Sequence, residues 1–118
     1  GTFHLAVAPD GTVIGCGGWT RQRPGAPDDP VDPALGHVRH FAAHPAWTRR
    51  GVGRRLFESC ARQAWDLGVR RMECYSSLGA VPFYASVGFT ALGPMVAPMG
   101  PGVDFPCIRM GCALPAPP

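Results

Sequence analysis

A glycine-rich turn at residues 48–53 lies between an apolar run and an amphipathic segment, and it limits the folds open to this chain. The apolar run at 37–44 stops at Pro45, which has no amide hydrogen for a strand ladder. From about residue 51 to 67, apolar side chains recur every three or four residues, which predicts a helix with one buried face. Gly68 follows as its C-terminal cap. The sequence therefore predicts a strand, a glycine turn and a helix in succession.

This turn has the composition of an anion-binding site. A helix N-terminus presents unpaired amides and the positive end of the helix dipole, so it stabilises a phosphate group without any lysine. Gly51 and Gly53 lack a Cβ, which allows close backbone approach and unusual dihedral angles, while Val52 anchors the turn in the core. Flanking arginines add forked donors for phosphate oxygens. The candidate anion-binding residues are Thr48, Arg49, Arg50, Gly51, Val52, Gly53 and Arg54.

The other apolar runs complete a mixed α/β pattern in a chain of 118 residues, which is a single domain by length. Two β-type runs at 3–8 and 12–17 are joined by Pro-Asp-Gly, which favours a hairpin. Residues 69–76 alternate as a strand, and a strand–helix–strand crossover favours parallel pairing. The further predicted elements are an exposed loop at 21–33, a short helix at about 80–87, strands at 89–92 and 105–110, and a loop at 93–104.

Composition excludes several classes of protein. Apolar residues make up 46% and charged residues 16%, which is typical of a globular protein rather than a disordered one. No run has the length of a membrane span and no leader pattern opens the chain, so we expect a soluble, cytoplasmic protein without a membrane partner. Five cysteines without a C-x-x-C pair favour neither a disulfide framework nor a zinc site. No Gly-Lys-Ser/Thr follows the glycines, which excludes a P-loop nucleotide hydrolase.

The net charge of +3 comes from arginine alone, since the chain has eleven arginines and no lysine. Four of them, Arg49, Arg50, Arg54 and Arg55, fall within seven residues beside the glycines. No nucleic-acid-binding motif accompanies this cluster, so we expect no nucleic-acid partner. The histidines of the 37–44 run do not predict a metal site, because a straight strand places His37 and His40 on opposite faces.

A second motif gives the glycine turn a specific context. Residues 83–89, downstream of the predicted crossover, read Phe-Tyr-Ala-Ser-Val-Gly-Phe. Here the chain resembles the GCN5-related N-acetyltransferase superfamily, whose signature is R/Q-x-x-G-x-G/A after the central strand and F-Y-x-x-x-G-F further on. The second element matches at every defined position. In the first, Thr48 stands where the family prefers Arg or Gln, and Arg49 and Arg50 are displaced toward the glycines.

This resemblance implies an α/β (α+β) fold with a mixed, mostly antiparallel sheet. A central parallel pair of strands would splay around the cofactor, with helices on both faces. The family's first strand and the two helices after it have no counterpart in the sequence. We therefore expect residues 1–118 to be a single acyltransferase domain that lacks its N-terminal portion.

The resemblance also implies a reaction. An acetyl group would pass from acetyl-CoA to a primary amine of a small molecule or peptide by direct attack, with coenzyme A as product and no covalent enzyme intermediate. Backbone groups at Phe41, Ala42 and Ala43 would pair with the pantetheine arm, and the glycine turn would bind the pyrophosphate. Tyr84 would protonate the departing thiolate, a reasonable role for a phenol with an ordinary pKa near 10.

Several alternatives remain open at this level. The chain could be a non-catalytic acyl-CoA-binding or regulatory module, and Tyr84 could be a packing aromatic. A histidine of the 37–44 run, or Glu73, could deprotonate the incoming ammonium group, but the sequence does not choose among them. Cys74 lies mid-strand with no identifiable base partner, which disfavours it as a nucleophile. The oligomeric state, a homodimer included, is open.

Overall fold

The computed structural model describes residues 2–25, 28–43, 51–100 and 102–116, without the side chains at positions 40, 98, 99 and 103. The strands and helices of this part are β1 Phe3–Val7, β2 Val13–Thr20, β3 Leu35–Ala43, α1 Val52–Asp66, β4 Arg71–Ser76, α2 Val81–Ser86, β5 Thr90–Gly100 and β6 Val103–Ala113. A short 3₁₀ turn at Leu78–Ala80 precedes α2. Within these ranges no helix combines the length and the apolar character needed to cross a membrane.

The six strands of the described residues form one sheet in the order β1-β2-β3-β4-β6-β5. Only β3 and β4 run parallel, and they are connected through α1, as a strand–helix–strand crossover requires. The other neighbouring pairs are antiparallel. The predicted mixed, mostly antiparallel sheet with a central parallel pair is therefore confirmed.

The first hairpin forms where the Asp-Gly pair predicted it. Gly11 has a φ of 90°, and its amide donates to the Ala8 carbonyl at 2.9 Å. The Asp10 carboxylate accepts a hydrogen bond from the Thr12 amide at 2.9 Å. The turn thus depends on the short polar side chain of Asp10 and the conformational freedom of Gly11.

The main core lies between the sheet and both helices. Phe57 of α1 and Tyr84 of α2 belong to the same buried cluster as Met72 and Met110 of the sheet. We expected helices on both faces, but in the described part of the chain α1 and α2 lie on the same face. They do so because both contribute aromatic side chains to this one core, and the opposite face of the central strands carries charged residues.

The predicted loop at residues 93–104 is wrong, because most of it forms a long hairpin of β5 and β6. Met95 pairs with Cys107 and Ala97 with Phe105, and the register shifts near Gly93 and again between Pro98 and Gly100. Prolines suggested a loop, but β5 is the edge strand, where a missing amide breaks no inner ladder. Cross-strand pairing therefore determined the structure of a segment whose composition favoured irregular chain.

Candidate active site

The parallel strands β3 and β4 separate soon after they meet. They pair at three positions only, Leu35 with Arg71, Gly36 with Met72 and His37 with Glu73. Beyond His37, β3 continues to Ala43 and pairs with β2 on its other side, but no described strand pairs with residues 38–43 on the β4 side. This wedge leaves strand backbone groups without a described strand partner, and it is the splay that the family resemblance implied.

An irregularity in β3 accompanies the separation. The β2–β3 register shifts between Cys16 and Gly18, so that Gly17 lies opposite two residues of β3, at positions 40 and 41. A bulge of this kind bends the strand that carries the extra residue. Gly17 is necessary there, because a Cβ would lie 2.7 Å from Cε2 of the Phe41 ring.

A cleft of about 720 Å³ lies in the wedge between β3, the start of α1 and α2. We call it the wedge cleft. Its lining residues are Phe41, Ala42, Ala43, Gly51, Val52, Gly53, Arg54, Gly79, Ala80, Pro82, Phe83, Tyr84 and Ser86. All the predicted site residues that the structure describes are in this set. Thr48, Arg49 and Arg50 lie outside the described residues.

Gly51 is the N-cap residue that precedes α1, and it has a conformation that favours glycine. Its φ of 79° and ψ of 9° lie in the left-handed region, and no described side chain caps the helix. The first turn of α1 contains no acidic residue. The helix N-terminus therefore presents its amides and the positive end of its dipole to the cleft without a competing carboxylate in that turn, as an anion site requires.

The neighbours of Gly51 have three different structural roles. Val52 is buried against Ile14 and anchors the turn, as predicted. Gly53 is helical, and a Cβ there would lie 2.7 Å from Cε1 of Phe83, so its glycine also permits close contact between α1 and α2. Arg54 donates from Nη2 to the carbonyl oxygen of Ser86 at 2.7 Å. The sequence analysis did not predict this second role of Gly53, because the contact joins two separate helices.

Tyr84 is both a packing residue and a cleft residue. Its ring contacts Phe83 and Phe89 edge-on, with centroids 5.2 and 5.4 Å away, and only 8% of the residue is exposed. Burial, with a smaller contribution from Cys74, raises the pKa of Tyr84 above its ordinary value. The phenol is therefore protonated at neutral pH and is chemically able to donate a proton within the wedge cleft.

Cys74 does not have the properties of a nucleophile. The residue is 3% exposed, and burial raises the pKa of its thiol to about 12. A buried thiol with this pKa is almost entirely protonated near neutral pH, whereas the thiolate is the reactive form. The sequence interpretation of Cys74 as an unreactive core residue agrees with this environment.

The sheet face opposite the helices carries a second, polar cavity of about 510 Å³. His37, Glu73 and Arg109 are among its lining residues, and we call it the polar cavity. Arg109 donates from Nε and Nη2 to the two carboxylate oxygens of Glu73, at 2.7 and 2.9 Å. These hydrogen bonds from Arg109 lower the pKa of Glu73. Burial of the carboxylate acts in the opposite direction and is the smaller effect.

The sequence analysis named His37 and Glu73 but did not identify Arg109. The Arg109–Glu73 contact depends on the antiparallel β4–β6 register, in which Arg109 pairs with Tyr75 and Glu73 with Gly111. The alternation of 105–110 would have placed Arg109 on the face opposite Ile108 and Met110. Nothing in the sequence specified that β4, which carries Glu73, would be the strand next to β6.

The wedge, the left-handed glycine at the start of α1 and the buried tyrosine agree with a match of the sequence to a known family. The profile of the Acetyltransferase (GNAT) family matches residues 1–89. The chain belongs to the GNAT family. This membership places the chain among the acyltransferase enzymes. The resemblance found in the sequence is thereby confirmed. No curated protein sequence matches the chain.

Several solved structures share this fold with the chain at low sequence identity. Nourseothricin acetyltransferase aligns with a TM-score of 0.77 at 21% identity, over 96% of this chain and 65% of that protein. An aminoglycoside 6'-N-acetyltransferase complexed with coenzyme A gives a TM-score of 0.71 at 16% identity, over 97% and 73%. Tetrahymena GCN5 gives 0.68 at 17% identity, over 95% and 67%. This chain thus spans about two thirds to three quarters of each of these proteins.

Proposed function

We propose that this GNAT chain transfers an acetyl group from acetyl-CoA to a primary amine, by direct attack of the amine on the thioester. The observation that carries the proposal is the wedge cleft, which leads from the edge of β3 that no described strand pairs with to the N-terminus of α1, which no described side chain caps. The cleft brings together strand amides for an extended amide-containing arm and helix amides for a diphosphate.

The chemistry of the lining residues fits coenzyme A. The backbone at Phe41, Ala42 and Ala43 has donors and acceptors free of any described β4 partner, which suits the two amides of pantetheine. The backbone amides of Gly51, Val52 and Gly53 would bind the diphosphate. The exposed Arg54 lines the same cleft beside them. Acetyl-CoA is the substrate that supplies the reactive thioester. These residues bind and orient it.

Tyr84 is the residue that we assign to protonation of the leaving thiolate. Burial raises the pKa of the Tyr84 phenol, and it would also raise the pKa of a coenzyme A thiol in the same low-dielectric surroundings. The thiolate formed there is therefore a stronger base than it is in water. The Cys74 thiol, which influences the titration of Tyr84, illustrates this with its pKa of about 12. The raised pKa of Tyr84 is therefore compatible with proton donation to a thiolate formed in the wedge cleft.

Turnover with a panel of amines tests this proposal. We expect release of free coenzyme A from acetyl-CoA that depends on the added amine, with the acetylated amine detected by mass spectrometry. The panel contains a lysine-containing peptide together with nourseothricin and an aminoglycoside, which give two of the similar solved proteins their names. Their tertiary-amine or acetylated analogues are the controls, since these cannot accept the acetyl group.

The main alternative is a non-catalytic acyl-CoA-binding or regulatory module. It predicts coenzyme A binding in a titration calorimeter but no amine-dependent thiol release in the same buffer. That result would reject the transferase function and retain the wedge cleft as a binding site. Absence of both binding and turnover would reject the site itself.

A further inference from the structure

A chain of side-chain hydrogen bonds connects β1, α1 and β2. His4 of β1 bonds to two residues of α1. Its Nδ1 is 3.0 Å from Oγ of Ser59, and its Nε2 is 2.8 Å from Oε1 of Gln63. The same Oε1 accepts a hydrogen bond from Nε1 of Trp19 in β2, at 3.0 Å. A hydroxyl and an amide therefore bond to the two nitrogens of one imidazole ring.

This network determines the tautomer of the neutral His4 ring. The indole nitrogen of Trp19 can only donate, so its partner on Gln63 is the amide oxygen. That oxygen can only accept, and Nε2 of His4 must therefore carry a hydrogen and donate to it. The lone pair of the ring is then on Nδ1. The hydroxyl of Ser59 donates to this lone pair, so a base lies next to the serine oxygen.

The three residues have the relative positions of an activated serine. Such a site needs a hydroxyl bonded to a base, and a third group that orients the base. Gln63 is the orienting group, and its own position is fixed by Trp19, which is 1% exposed. Ser59 is exposed, so a substrate can reach its hydroxyl. Because Gln63 is neutral, it orients the ring without the charge stabilisation that a carboxylate adds.

A cavity of about 320 Å³ lies between β1 and the first turns of α1, and Ser59 and His4 are among its lining residues. We call it the edge cavity. Three buried apolar residues, Ile14, Val52 and Leu56, also line it. The volume is at the lower end of the range for small-molecule sites. The edge cavity therefore suits a short aliphatic acyl chain whose carbonyl group lies at the serine.

Two hydrogen-bond donors line the edge cavity near the serine. Arg55 lies one turn before Ser59 on α1, so their side chains are neighbours on the helix surface. Leu5 lies on β1, the edge strand of the described sheet. The Trp19 amide donates to the Thr2 carbonyl, and since pairing alternates along a strand, the backbone groups of Leu5 face away from β2. The Leu5 amide and the Arg55 guanidinium are the donors that we assign to a developing oxyanion.

We propose that Ser59 is the nucleophile of a second active site, in the edge cavity, which hydrolyses carboxylic esters that have a short aliphatic acyl chain. His4 is its general base and acid, and Gln63 is the positioning residue. This activity does not depend on the proposed amine acetylation. Among the described lining residues, the edge cavity and the wedge cleft have only Val52 in common.

The reaction balances in two steps. In the first, Oγ of Ser59 attacks the ester carbonyl and its proton passes to Nδ1 of His4. The C–O bond to the alcohol breaks with its electron pair on oxygen, and the imidazolium gives that oxygen the proton. In the second step, water attacks the acyl-serine, His4 takes a proton from the water, and this proton returns to Oγ as the acid leaves. Ester and water are consumed, and alcohol and carboxylic acid are formed.

Covalent labelling of the unmodified protein tests the proposal first. A fluorophosphonate reacts with activated serines, and ordinary serine hydroxyls are inert toward it. We expect one phosphonylated residue, which mass spectrometry of the peptides should locate at Ser59. Two results would overturn the proposal: Ser59 unlabelled under conditions in which a known serine esterase is labelled completely, or a label on another serine alone.

Hydrolysis of p-nitrophenyl butyrate measures the activity itself. We expect Ser59→Ala and His4→Gln each to lower kcat/KM by roughly 100-fold, at the lower end of the range for acid–base groups because Gln63 has no charge. The two residues act as one unit, so the double variant should lose no more than about twofold beyond either single variant. A Ser59→Ala variant that keeps its rate would show that the imidazole acts without the serine, and would overturn the assignment.

The Gln63→Glu variant tests the positioning role. Glutamate keeps an acceptor oxygen for His4 and Trp19, and its negative charge stabilises the imidazolium that forms during the reaction. We expect kcat to rise by about 10-fold with little change in KM. A residue that only supports the fold would leave kcat unchanged. An unchanged or lower kcat in the folded variant would contradict the positioning role.

Ser77→Ala is the matched control. Ser77 is half-exposed and lies between β4 and the 3₁₀ turn, so its replacement should leave ester hydrolysis and the labelling of Ser59 unchanged. If it slowed hydrolysis as much as Ser59→Ala, the edge cavity would not be the site of the reaction. Circular dichroism checks the fold of every variant. If His4→Gln fails to fold, the labelling of the unmodified protein and the Ser59→Ala rate still decide the proposal.

Discussion

Replacing Gly53 by leucine is expected to weaken coenzyme A binding by about 100-fold. A Cβ at position 53 would lie 2.7 Å from the Phe83 ring, so the larger side chain must push α2 away from α1 or move the first turn of α1. Overpacking of this kind costs about 1–3 kcal/mol, and a tenfold change in affinity corresponds to about 1.4 kcal/mol. Both helices line the wedge cleft. We therefore expect most of this strain to distort the cleft and to weaken coenzyme A binding. Titration calorimetry with coenzyme A measures the loss.

Glu58→Leu is the control for the Gly53 variant. It places a leucine side chain on the exposed face of α1, away from the buried face to which Ala64 belongs. We expect coenzyme A affinity within about twofold of the original and a change in stability of no more than about 0.5 kcal/mol. If Gly53→Leu bound coenzyme A normally while remaining folded by circular dichroism, the cleft between α1 and α2 would not be the binding site.

Replacing Tyr84 by phenylalanine is expected to lower kcat by roughly 100-fold, with little change in the affinity for coenzyme A. The variant removes only the hydroxyl group, and the edge-on contacts with Phe83 and Phe89 involve the ring. Loss of a general acid typically costs a factor of 10² to 10⁴ in rate. Steady-state kinetics with acetyl-CoA and a good acceptor amine, beside a coenzyme A titration, separates the two effects.

The packing interpretation of Tyr84 predicts a different result. If the ring matters only as part of the core, Tyr84→Phe should have unchanged kcat, while Tyr84→Ala should lose about 3–5 kcal/mol of unfolding free energy as for other large-to-small core changes. Unchanged turnover in the phenylalanine variant would remove Tyr84 as the acid. Thermal unfolding of both variants shows whether the fold is intact.

Local features of the sequence predicted local structure well. Asp10 and Gly11 specified the first hairpin, and the spacing of apolar residues after Gly51 specified α1 within a residue or two. The left-handed conformation of Gly51 follows from the need for a sharp entry into a helix. In each case the determining interactions lie within a few residues of one another, so the sequence alone carries the information.

Features that depend on distant pairing were not predictable in the same way. The edge strand β5 contains Pro94 and Pro98, which on composition alone favour a loop, and only pairing with β6 makes this segment a strand. The same limit applies to the Gly53–Phe83 contact and to the Arg109–Glu73 ion pair. These interactions join separate elements, and the sequence does not encode their register in any short motif.

The candidate site combines both kinds of feature. Eight of the residues that line the wedge cleft were predicted as site residues, because one motif lies in the glycine turn and the other in α2, and family resemblance related the two. The sequence analysis named His37 and Glu73 among several candidate bases but did not predict the polar cavity that they line. Their pairing at the last rung of the β3–β4 ladder needed the structure, since it depends on where two strands diverge.

A crystal structure of the chain soaked with coenzyme A tests the central claim most directly. We predict diphosphate oxygens at about 2.7–3.2 Å from the amide nitrogens of Val52 and Gly53, with the pantetheine arm alongside residues 41–43. Coenzyme A bound elsewhere, with the N-terminus of α1 covered by another part of the chain, would contradict the account.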